Sequence, residues 1–336
     1  MPGNRDSDER TGCDMPENPI EKLLREEIVR NGAIPFSRFM EVALYHPQLG
    51  YYCRGEKPIG IRGDFYTASQ LQPVFGRLVR GYVERLSAEH RLNLPRVFTE
   101  YGAGRGEMAE AFADWEYRAM EVHSPPLPSP VSGVVFGNEL FDAFPVSAAI
   151  RNAGEFYERR VAWQGSRFEW STAPNPSAEI AGYAARYGVP SLNGFEFELH
   201  RNSIRFLEGL LANAANALCV FIDYGYFERD WKRFPHGTLM SYRDHRAGAD
   251  VLADPGNRDI TAHVPFHVLA EVARRAGGEV LRMERLANAF LYSGEADDFR
   301  AVLHAASERE EFERRQQLKS LLFGLGESFL VIAIRI

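Results

Sequence analysis

A chain of 336 residues with 45% hydrophobic and 25% charged content can bury one large core or two average ones, and its net charge of −7 argues against a nucleic-acid surface as main partner. Nothing approaches the run of about eighteen apolar residues that a membrane-spanning helix needs. Cys13, Cys53 and Cys219 lie far apart and offer neither a disulfide framework nor a zinc spacing, so a reducing cytoplasm is the expected compartment.

In chain order, residues 1–18 read as a disordered tail, without the apolar core of a signal peptide and too acidic for a mitochondrial presequence. PIEKLLREEIVRN (19–31) has helical apolar spacing, with Gly32 as its C-cap, and a second helix runs from Pro35 to about Leu44. The glycine- and aromatic-rich stretch that follows has no clear period and reads as a long ordered loop, then helix returns over 72–87. From Arg96 strands alternate with helices. PRVFTEY, YRAMEV, VSGVVFGNEL, ALCVFIDYG and ESFLVIAIRI read as strands; GRGEMAEAFADW, RNSIRFLEGLLANAAN and FHVLAEVARRAGG read as helices. This pattern predicts an α/β fold with a mostly parallel sheet. The expected units are an N-terminal helical extension with a cofactor-covering loop (19–92), a core (93–150 and 200–336), and an inserted subdomain of hairpin-like segments (151–199).

The stretch TEYGAGRGEMAEAF (99–112) carries the first chemistry. An NAD fingerprint would need a glycine where Glu107 stands, and a P-loop would need a Lys-Ser or Lys-Thr that is absent. The E-x-G-x-G-x-G loop of class I methyltransferases, which bind S-adenosylmethionine, fits at each defined position with Glu100, Gly102, Gly104 and Gly106. Glycines let the backbone approach a ligand, the following helix N-terminus offers amides to the methionine carboxylate, and Glu100 can serve the ammonium group. Glu121, at the end of the next strand, is placed to take ribose hydroxyls. The competing reading is a tight β–α turn with a surface glutamate.

FGNELFDAFPV (136–146) leaves the third strand at its carboxyl end, where open α/β sheets bind ligands. Asn138, Glu139 and Asp142 cluster there. Asp142 alone could be a plain helix cap, whereas a carboxylate beside a sulfonium has an electrostatic reason to be present. Asp64 and Thr67 lie in the long loop, which is expected to fold over the cofactor, the alternative being an Asp–Thr turn contact. Tyr224 ends a strand and can line an acceptor channel, Asp223 reads as a cap, and His245 and His263 read as structural hydrogen-bonders or core histidines.

Six blocks, GDFYTASQLQPVFG (63–76), EYGAGRG, GNELFDAFPV, FIDYGY (221–226), GTLMSYRDHR (237–246) and DPGNRDITAHV (254–264), stand in the order seen in the MidA family, which the chain resembles from about residue 20 onward. The resemblance implies a class I methyltransferase (Rossmann-like) fold with an N-terminal helical extension and an inserted subdomain, S-adenosylmethionine as cofactor without a metal, and, as in the mitochondrial complex I assembly factor branch, methylation of arginine on a partner protein. By their own chemistry and placement, Glu139 and Asp142 are the candidate catalytic residues, and Asp64, Thr67, Glu100, Gly102, Gly104, Gly106, Glu121 and Asn138 the candidates for holding the cofactor. The chain departs from the family in three places. Gln70 stands where relatives often carry an acid, and Pro265 where they often show HVDF. HSPPLPSPVS is too short for the helix and strand that relatives place after the second strand, so loss of one helix–strand unit on the adenine side is expected. Two readings remain: a methyltransferase acting on a protein, and an assembly factor that keeps the fold with little or no catalysis. A small-molecule methyltransferase is a third.

Overall fold

The computed structural model describes residues 18–54, 71–125, 127, 129–243 and 246–336. Helix α1 (Pro19–Asn31) starts where the Asn18 side chain accepts the amides of Ile20 and Glu21, and ends at Gly32 with φ +79°. Asn18 also donates to Asp254 Oδ1 and Pro255 O, both at 2.9 Å, which ties the extension to the distant DPGNRD block. After β1 (Ile34–Pro35) and α2 (Phe36–Tyr45), the chain folds back: the amides of Tyr51 and Tyr52 donate to Ala43 O and Leu44 O. Helix α3 (Val74–Glu89) then leads to the core strands β2 (Val97–Tyr101), β3 (Glu116–Met120) and β4 (Val131–Asn138).

A second, antiparallel sheet follows. It comprises β5 (Ser147–Asn152), β6 (Glu155–Gln164), β7 (Arg167–Thr172) and, after α4 (Ala178–Arg186), β8 (Glu196–Leu199). It also recruits β1 from the extension, with Ile34 opposite Val161. Helix α5 (Arg201–Ala212) returns the chain to the core strand β9 (Ala214–Tyr226). Three short strands, β10 (Met240–Arg243), β11 (Arg246–Gly248) and β12 (Asp259–Thr261), form a small sheet, and β13 (Val264–Pro265) extends β9 in parallel. The chain closes with α6 (Phe266–Arg275), β14 (Glu279–Arg285), α7 (Leu286–Gly294), α8 (Arg300–Leu303), α9 (Glu308–Phe323) and β15 (Phe329–Arg335).

The core sheet runs β14–β15–β9–β4–β2–β3, parallel from β9 to β3 and antiparallel on both sides of β15. Alternation along β9 explains its unbroken apolar run. Leu218, Val220 and Ile222 face one buried layer with α3 and α7; Cys219 and Phe221 face the other, with α5 and α6. Gly133 crosses a neighbouring backbone: a Cβ there would lie 2.4 Å from Val97 O, and its φ is +83°. Register aligns the carboxyl ends of three strands, pairing Tyr101 with Gly137 and Asn138 with Ile222, so Glu100, Asn138 and Asp223 come to one rim of the sheet.

Between Glu121 and Val131 the described residues form turns and bends, with neither helix nor strand, and β3 is the sheet edge, as the short HSPPLPSPVS segment requires. The helix read over GRGEMAEAFADW is corrected: Gly104–Asp114 is a chain of turns. Its amide bonds reach back three residues (Gly106 to Ala103, Ala109 to Gly106, Ala113 to Glu110, Trp115 to Phe112). The helix-like apolar spacing still buries Met108 and Phe112, with Phe112 stacked on Phe98 at 3.8 Å, while left-handed glycines at its start break the regular ladder.

Candidate active site

The aligned strand ends open into a cleft of about 1310 Å³. Seven of the predicted residues line it: Glu100, Gly102, Gly104, Glu121, Asn138, Glu139 and Asp142. Gly106 belongs to the same loop, while Asp64, Thr67 and His245 lie outside the described residues.

One half of the cleft is built from the glycine loop. Gly102, Gly104 and Gly106 all have positive φ, at 69°, 57° and 73°. A Cβ on Gly102 or Gly106 would meet no protein atom closer than 3.4 or 3.5 Å, so protein packing does not demand glycine there. The backbone conformation does, and the space left in front belongs to the cleft. Glu121 crosses from β3 and accepts the Gly104 amide at 2.7 Å, which pins the loop. Glu100 is 4% exposed and accepts the Tyr117 hydroxyl at 2.5 Å. Burial pushes its carboxyl up to about 8, with Glu107 and Glu121 adding to the rise and the Tyr117 bond opposing it. Because turns replace the expected helix, amides of the glycine loop itself are what this half offers an anion. Tyr101 and Phe206, edge to face at 5.1 Å, and Leu127 line the cleft near the open sheet edge.

The other half is assembled around the loop after β4. Glu139 has φ +51°, uncommon for a residue with a side chain, and its amide donates to Ile222 O at 2.9 Å. Asn138 Nδ2 donates to Glu139 Oε1 at 3.0 Å. Asp223 is the cap of this loop: its Oδ2 accepts the amides of Leu140, Phe141 and Asp142 at 3.1, 2.8 and 3.3 Å. Asp142 starts no helix, since 140–144 is a turn. Burial pushes the Asp223 carboxyl up to about 8. Burial, then the neighbouring Asp223 and Asp259, holds Asp142 well above the usual carboxylate range. Tyr224 lies against Phe329 with ring centres 3.9 Å apart and beside His263, whose amide donates to Thr238 Oγ1 at 3.0 Å. Burial lowers the His263 pKa, which favours a neutral ring.

Sequence reading missed Tyr117, Tyr45, Tyr52, Tyr242 and Asp259. Tyr45 donates to Ala143 O at 2.9 Å and Tyr52 to Asp259 Oδ1 at 2.7 Å. The aromatic-rich segment after α2 and the acidic residue inside DITAHV were visible signals, but nothing local pairs them across 207 residues.

The fold and the glycine loop define a class I methyltransferase dependent on S-adenosylmethionine. A family model described as S-adenosyl-L-methionine-dependent methyltransferase matches residues 112–283, and the chain belongs to that family. A solved superfamily member from Burkholderia thailandensis, bound to S-adenosyl-homocysteine, superposes with a TM-score of 0.84 at 29% identity, over 94% of this chain and 92% of its own. A native structure from the same organism gives a TM-score of 0.80, also at 29% identity, over 94% and 91%. The mitochondrial protein arginine methyltransferase NDUFAF7 homologue of Drosophila melanogaster is 24% identical over 88% of this chain and 79% of its own. These likenesses agree with the MidA resemblance. Among the described residues no helix is long and apolar enough to cross a membrane, and no cluster of His, Cys, Asp and Glu has the makings of a metal site.

Proposed function

We propose that this enzyme methylates a side-chain nitrogen of a protein acceptor, arginine in particular. The observation that carries the reading is Glu139: a carboxylate held in a left-handed backbone conformation, braced by Asn138 and Ile222 O, beside Asp142 at the cleft end of the central strands. Strained, over-determined backbone of this kind clusters at functional sites. The name of the Drosophila relative, a protein arginine methyltransferase, supports the acceptor class.

The residues present fit the cofactor. Glu100 would pair with its ammonium group and Glu121 with its ribose hydroxyls, and Gly102, Gly104 and Gly106 would let the backbone approach it. When bound, S-adenosylmethionine supplies a methyl group activated on a sulfonium. Glu139 and Asp142 receive the acceptor's fork of donors and draw its positive charge away from the attacking nitrogen. That nitrogen gains the methyl group and loses a proton, and an ionised carboxylate on the fork is the base within reach. Positioning carries much of the rate. The test is transfer of radiolabelled methyl groups into a lysate from a strain lacking this protein. Labelling of protein by the wild type supports the reading. Cofactor binding without labelling would favour the assembly-factor reading instead.

A further inference from the structure

Asp259 opens β12 at 2% exposure, yet it lines the cleft. Three strands of contact bring it to Asp142. Ala262, in the same block, donates its amide to Asp142 O at 3.0 Å. Tyr52 donates to Asp259 Oδ1 at 2.7 Å, with its own amide fastened to Leu44 O at 3.0 Å. Tyr45, whose ring centre is 5.6 Å from that of Tyr52, donates to Ala143 O next to Asp142. The N-terminal extension therefore grips both carboxyl-bearing segments at once.

The surroundings have a consistent chemistry. Tyr45 and Tyr52 feel the fields of both Asp142 and Asp259. Tyr242, directly across the strand pair from Asp259, feels those two and Glu139. Tyr224 feels Glu139, Asp142 and Asp223. Among the described residues His263, Glu139, Asp223, Cys53 and Glu41 are further titratable groups at this recess, and Arg54 sits in the cleft wall bonded to Asn257 Oδ1 at 2.7 Å. Carboxylates flanked by tyrosine rings suit a flat cation: oxygens take its edge donors and ring faces take its plane. An uncharged acceptor brings no opposite charge to these carboxyls, whereas a cation does.

We propose that Asp259 is a second acceptor-seating carboxylate, paired with Asp142 and aimed by Tyr52, and that this seat selects a guanidinium over its neutral isostere. The proposal rests on the methyltransferase reading above and deepens it. Seating the cation favours the ionised carboxyls, so binding in a recess whose Asp142 is held above the usual carboxylate range releases a proton and strengthens as pH rises. Asp259 would touch the acceptor; Tyr52 acts through Asp259.

The experiment uses the full chain saturated with S-adenosyl-homocysteine. Calorimetry measures binding of a Gly-Arg-Gly peptide and its Gly-citrulline-Gly counterpart. The arginine peptide should bind and the citrulline peptide should not. Asp259→Asn should weaken arginine-peptide binding by about tenfold or more while leaving S-adenosyl-homocysteine affinity unchanged. Asp259→Glu should recover part of the loss. Tyr52→Phe should keep binding at high pH but move its pH midpoint upward, because the lost hydroxyl no longer favours the ionised carboxylate. Asp259→Asn and wild type binding the arginine peptide within twofold of each other, equal binding of the citrulline peptide, or no arginine-peptide binding by wild type would each overturn the proposal. If Asp259→Asn also loses S-adenosyl-homocysteine, the Tyr52→Phe profile decides, and an unmoved midpoint overturns it. Lysate methylation by the wild type, run in parallel, reports on the methyltransferase reading alone, so the two failures are distinguishable.

Discussion

The two halves of the cleft are built by different means. The glycine-loop half uses backbone conformation and residues close in sequence: Glu100, three left-handed glycines, and Glu121, whose carboxylate closes back on Gly104. The other half uses side chains from the extension, the loop after β4, the end of β9 and the DITAHV block, brought together by Asp223, Tyr45 and Tyr52. The first can be damaged at one residue by a change of backbone freedom. The second depends on charges whose placement is shared by several segments, so single changes should alter turnover and pH dependence before they alter cofactor binding.

The sharpest break is at Gly104. Gly104→Val places a β-branched side chain at φ +57°, in a loop that is exposed and carries little of the fold. Affinity for S-adenosyl-homocysteine should fall by about a thousandfold, beyond detection in a thermal-shift titration, with the melting temperature of the free protein lowered by only a few degrees, as expected for a β-branched residue at positive φ. Equal stabilisation of variant and wild type by the ligand would refute this placement of the cofactor.

Glu139→Gln tests the other half. It keeps size and hydrogen-bonding capacity and removes the charge. Methyl transfer should drop by roughly a hundredfold or more, as for loss of one electrostatic stabiliser, while cofactor affinity holds within a few-fold. Transfer at the wild-type rate would remove Glu139 from the mechanism.

On the proposed placement, Glu100 would link cofactor binding to pH. Its carboxyl, pushed up to about 8 by burial, must ionise to pair with an ammonium group. Wild-type affinity for S-adenosyl-homocysteine should therefore increase from pH 6 toward 8, with proton release visible as a dependence of binding heat on buffer. Glu100→Gln should bind about tenfold more weakly at pH 8 and show a flatter profile. A variant with the same pH slope as wild type would clear Glu100 of this role.

The smallest effect is on stability. Burial pushes the carboxyls of Glu100 and Asp223 up to about 8 in the folded chain, against about 4 for ordinary carboxyls. Between those values the native state holds more protons than the unfolded chain, so stability falls as pH rises through that window. His200, pushed down to about 3 by burial, works in the opposite sense, but only below about 6.5. From pH 7 to 8.5 the carboxyls dominate, and the ligand-free melting temperature should drop by a few degrees. Saturating cofactor should remove the Glu100 share. A melting temperature that rises over this interval would show that another group governs it.

Much was legible in the sequence for local reasons. Apolar spacing located α1, α2, α3, α5 and α6, and the alternating or continuous apolar runs located β2, β3, β4, β9 and β15 but not the edge strand β14, because burial acts on periodicity. The same reasoning failed over 104–114, where Met108 and Phe112 have helical spacing but the preceding glycines leave turns. Asp223 read correctly as a cap, although the segment it caps is the 140–142 loop, more than 80 residues earlier.

The sequence by itself determined the cofactor class and the shortened sheet edge. Both follow from short-range facts: where glycine permits positive φ, which residue stands two before it, and how few residues separate Glu121 from β4. Tertiary structure alone decided that the extension's β1 joins the second sheet, that Tyr45 and Tyr52 wall the cleft, and that Asp259 stands beside Asp142. Those pairings depend on which surfaces of separate elements pack together, and neither propensity nor periodicity along one segment encodes the partner it will meet 200 residues away.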